Sequence, residues 1–262
     1  MKLLLTSDLH YDDCKLGWIL ERAETFDAIL VAGDFLDIFV PAGNEIQQAA
    51  ILRWKADLLV TGTPLVWCSG NHDFFHGEDS PLIEASPDWM PGLESGFIGD
   101  GVTDILHTRS GDLAITTIPW PVTGVDIFKD GTHVPHLDYV ADLLDQGRRL
   151  QARYPWMVLF HEPPADSPLS IGYSTSEARL SRQLVEKWSP DWSLHGHVHE
   201  SATQPGGNFI CQIGKSTCVN SGQSGEGELP HYSVLTLDGS KWQVEWTGGG
   251  KAGHAEGAIA PR

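Results

Sequence analysis

Five short motifs rich in Asp, His and Asn each stand directly behind a hydrophobic run, and this repeated address constrains the fold more than any other feature of the chain. Asp8-Leu9-His10 follows Met1–Thr6, Gly33-Asp34 follows Ile29–Ala32, and Gly70-Asn71-His72-Asp73 follows Leu65–Cys68. His161 follows Trp156–Phe160, and Gly196-His197-Val198-His199 follows Trp192–Leu194. Short apolar runs of this kind read as buried strands. Asp, His and Asn fit poorly inside strands but offer oxygen and nitrogen to divalent cations. Five sets at one address, the carboxyl end of a strand, imply one shared site. Its chemistry reads as a two-metal centre, and such centres mostly move phosphoryl groups.

The first seventy residues alternate strand and helix. Strands are expected at Lys2–Thr6, Asp27–Ala32 and Pro64–Cys68. A short helix is expected at Leu16–Ala23 and a longer one at Asn44–Val60, where Ile46, Ala50, Trp54 and Leu58 repeat every four residues. This alternation argues for parallel βαβ units with ligands at the strand carboxyl ends.

The middle is less regular. Phe74–Gly96 and the segment from Pro119 to Pro135 read as long loops around a strand at Leu113–Ile118, and a helix carrying Leu137, Val140, Ala141 and Leu144 ends near Arg153. After His161, a capping box at Ser174 and Glu177 opens a helix with Leu180, Leu184 and Trp188 on one face. Short, antiparallel-looking strands follow at Phe209–Ile213, Thr217–Asn220, Tyr232–Leu237 and Trp242–Trp246, with a hairpin turn at Leu237–Ser240. The expectation is one domain over residues 1–247 and a disordered Gly- and Ala-rich tail over 248–262. A chain of 262 residues, 41% hydrophobic, supplies one large core.

Thirty-five acids stand against 17 bases, a formal charge of -18. That balance disfavours long nucleic acid as a partner, because phosphate backbones are held by clustered Lys and Arg. No run is long enough to cross a bilayer, and Leu3-Leu4-Leu5 is too short for a signal-peptide core. Cys14, Cys68, Cys211 and Cys218 lack a metal or disulfide spacing, so a reducing, cytoplasmic setting is expected. Cys68 reads as a small core residue.

Asp8 and His10 stand two apart, as do His197 and His199, so each pair can project one way from an extended chain. Asp34, behind a permissive glycine, is the natural bridge between two ions, since a carboxylate offers one oxygen to each. Gly70 and Gly196 are read as allowing turns that bring Asn71 and His197 inward. His195 points to the opposite strand face from Gly196 and reads as a supporting or core residue. His76, His107, His133, His136, His231 and His254 have no partner spacing and read as surface residues.

In these blocks, D-x-H, G-D, G-N-H-[DE], a lone His and G-H-x-H in that order from Asp8 to His199, the chain resembles the calcineurin-like metallophosphoesterase superfamily. The resemblance implies an α/β fold: a four-layer αββα sandwich of two mixed β-sheets flanked by helices. It implies two divalent metal ions, one on Asp8, His10, Asp34 and His199 and the other on Asp34, Asn71, His161 and His197. Manganese, iron and zinc all suit this thiolate-free set. It further implies in-line attack on phosphorus by a metal-bridging hydroxide, with His72 protonating the leaving oxygen or stabilising the developing charge. Asp37 would orient His72, with Asp73 the rival for that task.

The implied activity is hydrolysis of a small phosphodiester. The segments His161-Glu162-Pro163-Pro164 and Lys215–Asn220 are loosely similar to a branch with cyclic-nucleotide phosphodiesterases. Phe74, Phe75, Trp89 and Trp120 are loop aromatics able to stack on a base. A protein phosphatase of the superfamily has Arg-Gly where Ile38-Phe39 stands here. The alternatives are a phosphomonoesterase or nuclease of the same superfamily, and a non-catalytic scaffold, which should have lost ligands that this chain keeps.

Overall fold

The computed structural model describes residues 1–73, 87, 89–90, 92–120 and 135–259. Expectations for Phe74, Phe75, His76 and His133, the His136 side chain, and most of the two long loops lie outside the described residues.

Three parallel strands, β1 (Lys2–Thr6), β2 (Ala28–Ala32) and β3 (Leu65–Cys68), are joined through α1 (Asp13–Arg22) and α2 (Asn44–Val60). Asp12 caps α1 by accepting the backbone N–H groups of Cys14 and Lys15, so the helix starts three residues before the expected Leu16. Two short strands, β4 (Leu93–Glu94), inside the expected loop Phe74–Gly96, and β5 (Phe97–Ile98), just beyond it, extend this sheet.

A hairpin of β6 (Thr103–Thr108) and β7 (Gly111–Ile118) begins the second sheet. It continues through α3 (Pro135–Gln151), β8 (Trp156–Phe160), α4 (Ser176–Trp188), β9 (Trp192–His195), β10 (Ile210–Ile213) and β11 (Ser216–Asn220). The cap of α4 is Thr175, which accepts the Ala178 N–H at 3.0 Å, one residue beyond the expected Ser174. The chain then returns to the first sheet as β12 (Tyr232–Asp238), β13 (Lys241–Gly248) and β14 (Lys251–Ala258).

The strand orders are β14-β13-β12-β1-β2-β3-β5-β4 and β10-β11-β9-β8-β7-β6. Both sheets are mixed, and their inner faces meet. Along β1, Leu3 and Leu5 enter the layer between the sheets while Leu4 packs under the helices. Ala28, Leu30 and Ala32 against Ile29 and Val31 repeat the division along β2. Met157 and Leu159 face the first sheet from β8, and Trp156, Val158 and Phe160 face α3 and α4. Strands buried on both faces thus read as unbroken apolar runs. The layers are helix, sheet, sheet, helix, as expected. Among the described residues, no helix is long and apolar enough to cross a membrane.

Two expectations fail for packing reasons. The face of α2 turned inward carries Gln47, Ile51, Trp54, Lys55 and Leu58, leaving Ile46 62% exposed. Gln47 is inside because its amide holds the loop after β2, accepting from Asp37 N–H and donating to Asp37 O and Ala42 O. The expected disordered tail is, over Lys251–Ala258, the edge strand β14. Its glycines face aromatic side chains: Gly253 pairs with Trp246 and lies against Phe209, and Gly257 pairs with Trp242 and lies against its ring. The Gly-rich composition makes room for rings, as aromatic residues cover glycines across paired strands.

Candidate metal centre

All five motifs converge at the carboxyl ends of β1, β2 and β3 on one sheet and β8 and β9 on the other. The structure brings all seven expected ligands together. His199 Nε2 lies 3.3 Å from Asp8 Oδ1 and 3.1 Å from His10 Nε2. His161 Nε2 lies 3.2 Å from Asp34 Oδ2, 3.1 Å from Asn71 Oδ1 and 3.9 Å from Asp8 Oδ1. His197 Nδ1 is 2.8 Å from Asn71 Oδ1, and His10 Nε2 is 3.9 Å from Asp34 Oδ2. Asp34 thus stands between the Asp8–His10–His199 group and the Asn71–His161–His197 group.

The extended-chain argument for the paired residues does not hold. Asp8, His10, Asp34 and His197 have φ values of 53°, 48°, 55° and 65°, beyond the ends of their strands. Left-handed backbone is unfavourable for non-glycine residues and recurs where a site fixes its side chains. Neither Gly70 nor Gly196 has the positive φ of a permissive turn. Each is needed because space runs out: a Cβ on Gly70 would collide with the Asp34 carboxylate, and one on Gly196 with Ala32 O and Asp8 Oδ2.

Supports hold these side chains from outside. Asp8 accepts the His197 N–H at 2.9 Å and the Ser7 hydroxyl. His161 Nδ1 lies 2.7 Å from Ala32 O and can only donate there, so its Nε2 faces the centre. Asn220 Nδ2 donates to Gly196 O and Val198 O, pinning the Gly196–His199 turn. His195 is buried, with Nδ1 on Phe160 O and Glu162 O and Nε2 on Ser193 Oγ, a supporting residue as expected. Trp120 stacks on His197 at 5.5 Å between ring centroids, whereas Trp89 packs on Trp67.

His72 places its ring edge-on to His10 at 4.6 Å, and its backbone N–H donates to Asp34 Oδ1 at 2.9 Å. Its Nδ1 accepts from Ile38 N–H at 3.4 Å and lies 3.9 Å from Asp37 Oδ1. Asp73 sits elsewhere. Its carboxylate accepts N–H groups from Asp34, Phe35, Leu36 and Gly70. A cleft of about 750 Å³ opens from His10, His72 and His199 and is bordered by Asp12, Asp13, Lys15, Asp37, Phe39 and Glu226. Of the histidines expected at the surface, His107 and His254 are exposed, but His231 is buried against Trp246.

The donor set fits divalent cations. With Nδ1 of His161 donating to Ala32 O, the Nε2 lone pair would face the oxygens of Asp34 and Asn71, which are also acceptors. Only a cation or an added proton reconciles them. Without metal, burial disfavours a charged His161, yet Asp34 and Asp8 hold its pKa up at about 10. Burial works against ionised Asp8 as well, but His199, His161 and His10 keep its pKa well below the usual carboxylate range. His197 goes the other way: burial and neighbouring His161 lower it to about 4, which leaves a neutral imidazole. Three groups, Asp8–His10–His199, His10–Asp34–His72 and Asp8–Asp34–His161, bring their donor atoms close enough to hold an ion.

A family model of calcineurin-like phosphoesterases matches residues 1–201. Among solved structures, GAP50 of Plasmodium, described as the anchor in the inner membrane complex, is similar with a TM-score of 0.59 at 13% identity, covering 100% of this chain and 90% of that one. A conserved Streptococcus pneumoniae protein described as a predicted phosphoesterase gives 0.40 at 15% identity, covering 97% of each chain. YfcE, a phosphoesterase from E. coli, gives 0.38 at 12% identity, covering 99% of this chain and 100% of that one. At 13% identity the likeness to GAP50 concerns the fold.

Proposed function

The chain belongs to the calcineurin-like phosphoesterase family, which supports a metal-dependent phosphoester hydrolase, and on that premise we propose that it hydrolyses a small phosphodiester at a centre of two divalent cations. One cation would be held by Asp8, His10, Asp34 and His199, the other by Asp34, Asn71, His161 and His197. Manganese, iron or zinc suits these donors. When bound, two such cations acidify water and offset charge on phosphoryl oxygens. The observation that carries this reading is Asp34, whose carboxylate lies within reach of both donor groups while His72 stands beside it.

The protein's own part is orientation and proton transfer. His72 accepts at Nδ1 from Ile38 N–H, which leaves the proton on Nε2 for the departing oxygen. Asp37, 3.9 Å from Nδ1, would steady the ring. The cleft borders support a diester over a dianionic monoester. Among the described residues its only ammonium, on Lys15, is held by Ser224 O and lies 3.9 Å from Asp12, while Asp13, Asp37 and Glu226 are acidic. The same borders and the charge of -18 speak against long polyanions. Four free cysteines suit a cytoplasmic setting.

The test is a substrate panel with added Mn²⁺: bis- and mono-p-nitrophenyl phosphate, 3′,5′- and 2′,3′-cyclic nucleotides, and single-stranded DNA. Turnover of the diester but not the monoester is expected. Activity confined to the monoester or to DNA would replace the diester reading.

A further inference from the structure

Glu162 follows His161 at the end of β8 and is 1% exposed. Its Oε1 accepts the hydroxyl of Thr175, the cap of α4, at 3.0 Å. Among the described residues Oε2 has no hydrogen-bond partner, and His197 Nε2 lies 3.5 Å from it. The other nitrogen of that ring, Nδ1, faces Asn71 Oδ1 at 2.8 Å. Trp120 stacks on the ring with an interplanar angle of 26°, and Tyr173 meets it edge-on at 81°. The imidazole therefore has little freedom to turn over.

Two unmet needs face each other here. A buried carboxylate oxygen without a partner is costly. A neutral histidine that offers Nδ1 to a cation must carry its proton on Nε2. One hydrogen bond, from Nε2–H to Oε2, answers both, and a slight tilt of either side chain from 3.5 Å makes it.

We propose that Glu162 is a positioning residue: its Oε2 accepts the Nε2 proton of His197 and so commits Nδ1 to the metal. This rests on the reading of His197 as a ligand. The line of contact runs from the cap of α4 through Thr175 and Glu162 to the centre, so the helix helps to set the ligand. Carboxylates placed behind ligating histidines fix their tautomer and raise their basicity, and losing one typically costs 10–100-fold in metal affinity.

The test uses the full chain, with Zn²⁺ and Mn²⁺ binding followed by chelator competition. Glu162→Gln keeps shape and one acceptor and is expected to weaken one of the two bound equivalents roughly tenfold; Glu162→Leu is expected to weaken it roughly 100-fold. Metal-free melting of Glu162→Gln should stay near wild type, and its kcat should recover at saturating metal. The ¹⁵N–¹H spectrum of the zinc-loaded protein should show His197 protonated at Nε2. Unchanged affinity in both Glu162 variants, or a His197 protonated at Nδ1, overturns the proposal. His197→Asn separates the two levels. If it weakens metal and the Glu162 variants do not, only the positioning role fails; if it leaves metal binding intact, the ligand reading fails with it.

Discussion

The carboxylate of Asp73 accepts the backbone N–H of Asp34 at 3.0 Å, so one acid of the third motif shapes the turn that presents another acid from the second. Phe35, Leu36 and Gly70 donate to the same carboxylate. Burial and the charge on Asp34 raise its pKa, the Gly70 and Leu36 N–H groups pull it back, and four converging donors fit the ionised carboxylate.

Asp73→Asn would turn an amide NH₂ toward two of these N–H groups. The expected cost is about 2–3 kcal/mol, a fall in the metal-free Tm of roughly 5–10 °C, with weaker metal binding besides. A melting curve superimposable on wild type would remove Asp73 from this role.

Asp34→Asn removes the carboxylate shared by both donor groups. Metal content after dialysis should fall for both equivalents, and hydrolysis should drop to background. Near-normal turnover in metal-quantified protein would sink the bridging assignment.

His72→Gln should lower kcat by roughly 10²-fold, the usual scale of general-acid loss, with metal content intact. Because its donor nitrogen also lies within reach of the His10 and Asp34 donors, metal analysis of this variant is decisive. If metal leaves with the side chain, His72 is a ligand instead of a proton donor.

Acid should destabilise the protein through His195. Burial lowers its pKa from 6.5 to about 4, so the unfolded chain takes up a proton that the folded one refuses. The resulting stabilisation is complete above about pH 6.5 and is lost progressively as pH falls toward 4, a span worth on the order of 3 kcal/mol. His195→Gln should flatten that part of a Tm-against-pH curve relative to wild type. An unchanged slope would show that His195 does not drive it.

What was legible follows from periodicity and ligand chemistry. Doubly buried strands such as Ala28–Ala32 read as unbroken apolar runs, and five Asp- and His-rich sets at such ends together point to one shared site. The supports were not legible, because each acts across the fold. Gln47 pins Asp37 from ten residues away, and Asn220 reaches back 24 residues to Gly196. Glu162 meets His197 across two strands. Sequence shows neither which side of a helix faces a loop nor which oxygen lacks a partner. β14 was missed because glycines cut to fit Phe209 and Trp242 look like composition without purpose until the rings are in place.

The donor atoms come from both sheets: Asp8, His10, Asp34 and Asn71 from one, His161, His197 and His199 from the other. A cation gripped by both would rivet the two halves of the sandwich together at one end. Metal affinity would then serve as a gauge of sheet alignment, and a core substitution far from the centre that slid one sheet against the other would register first as a leaking ion.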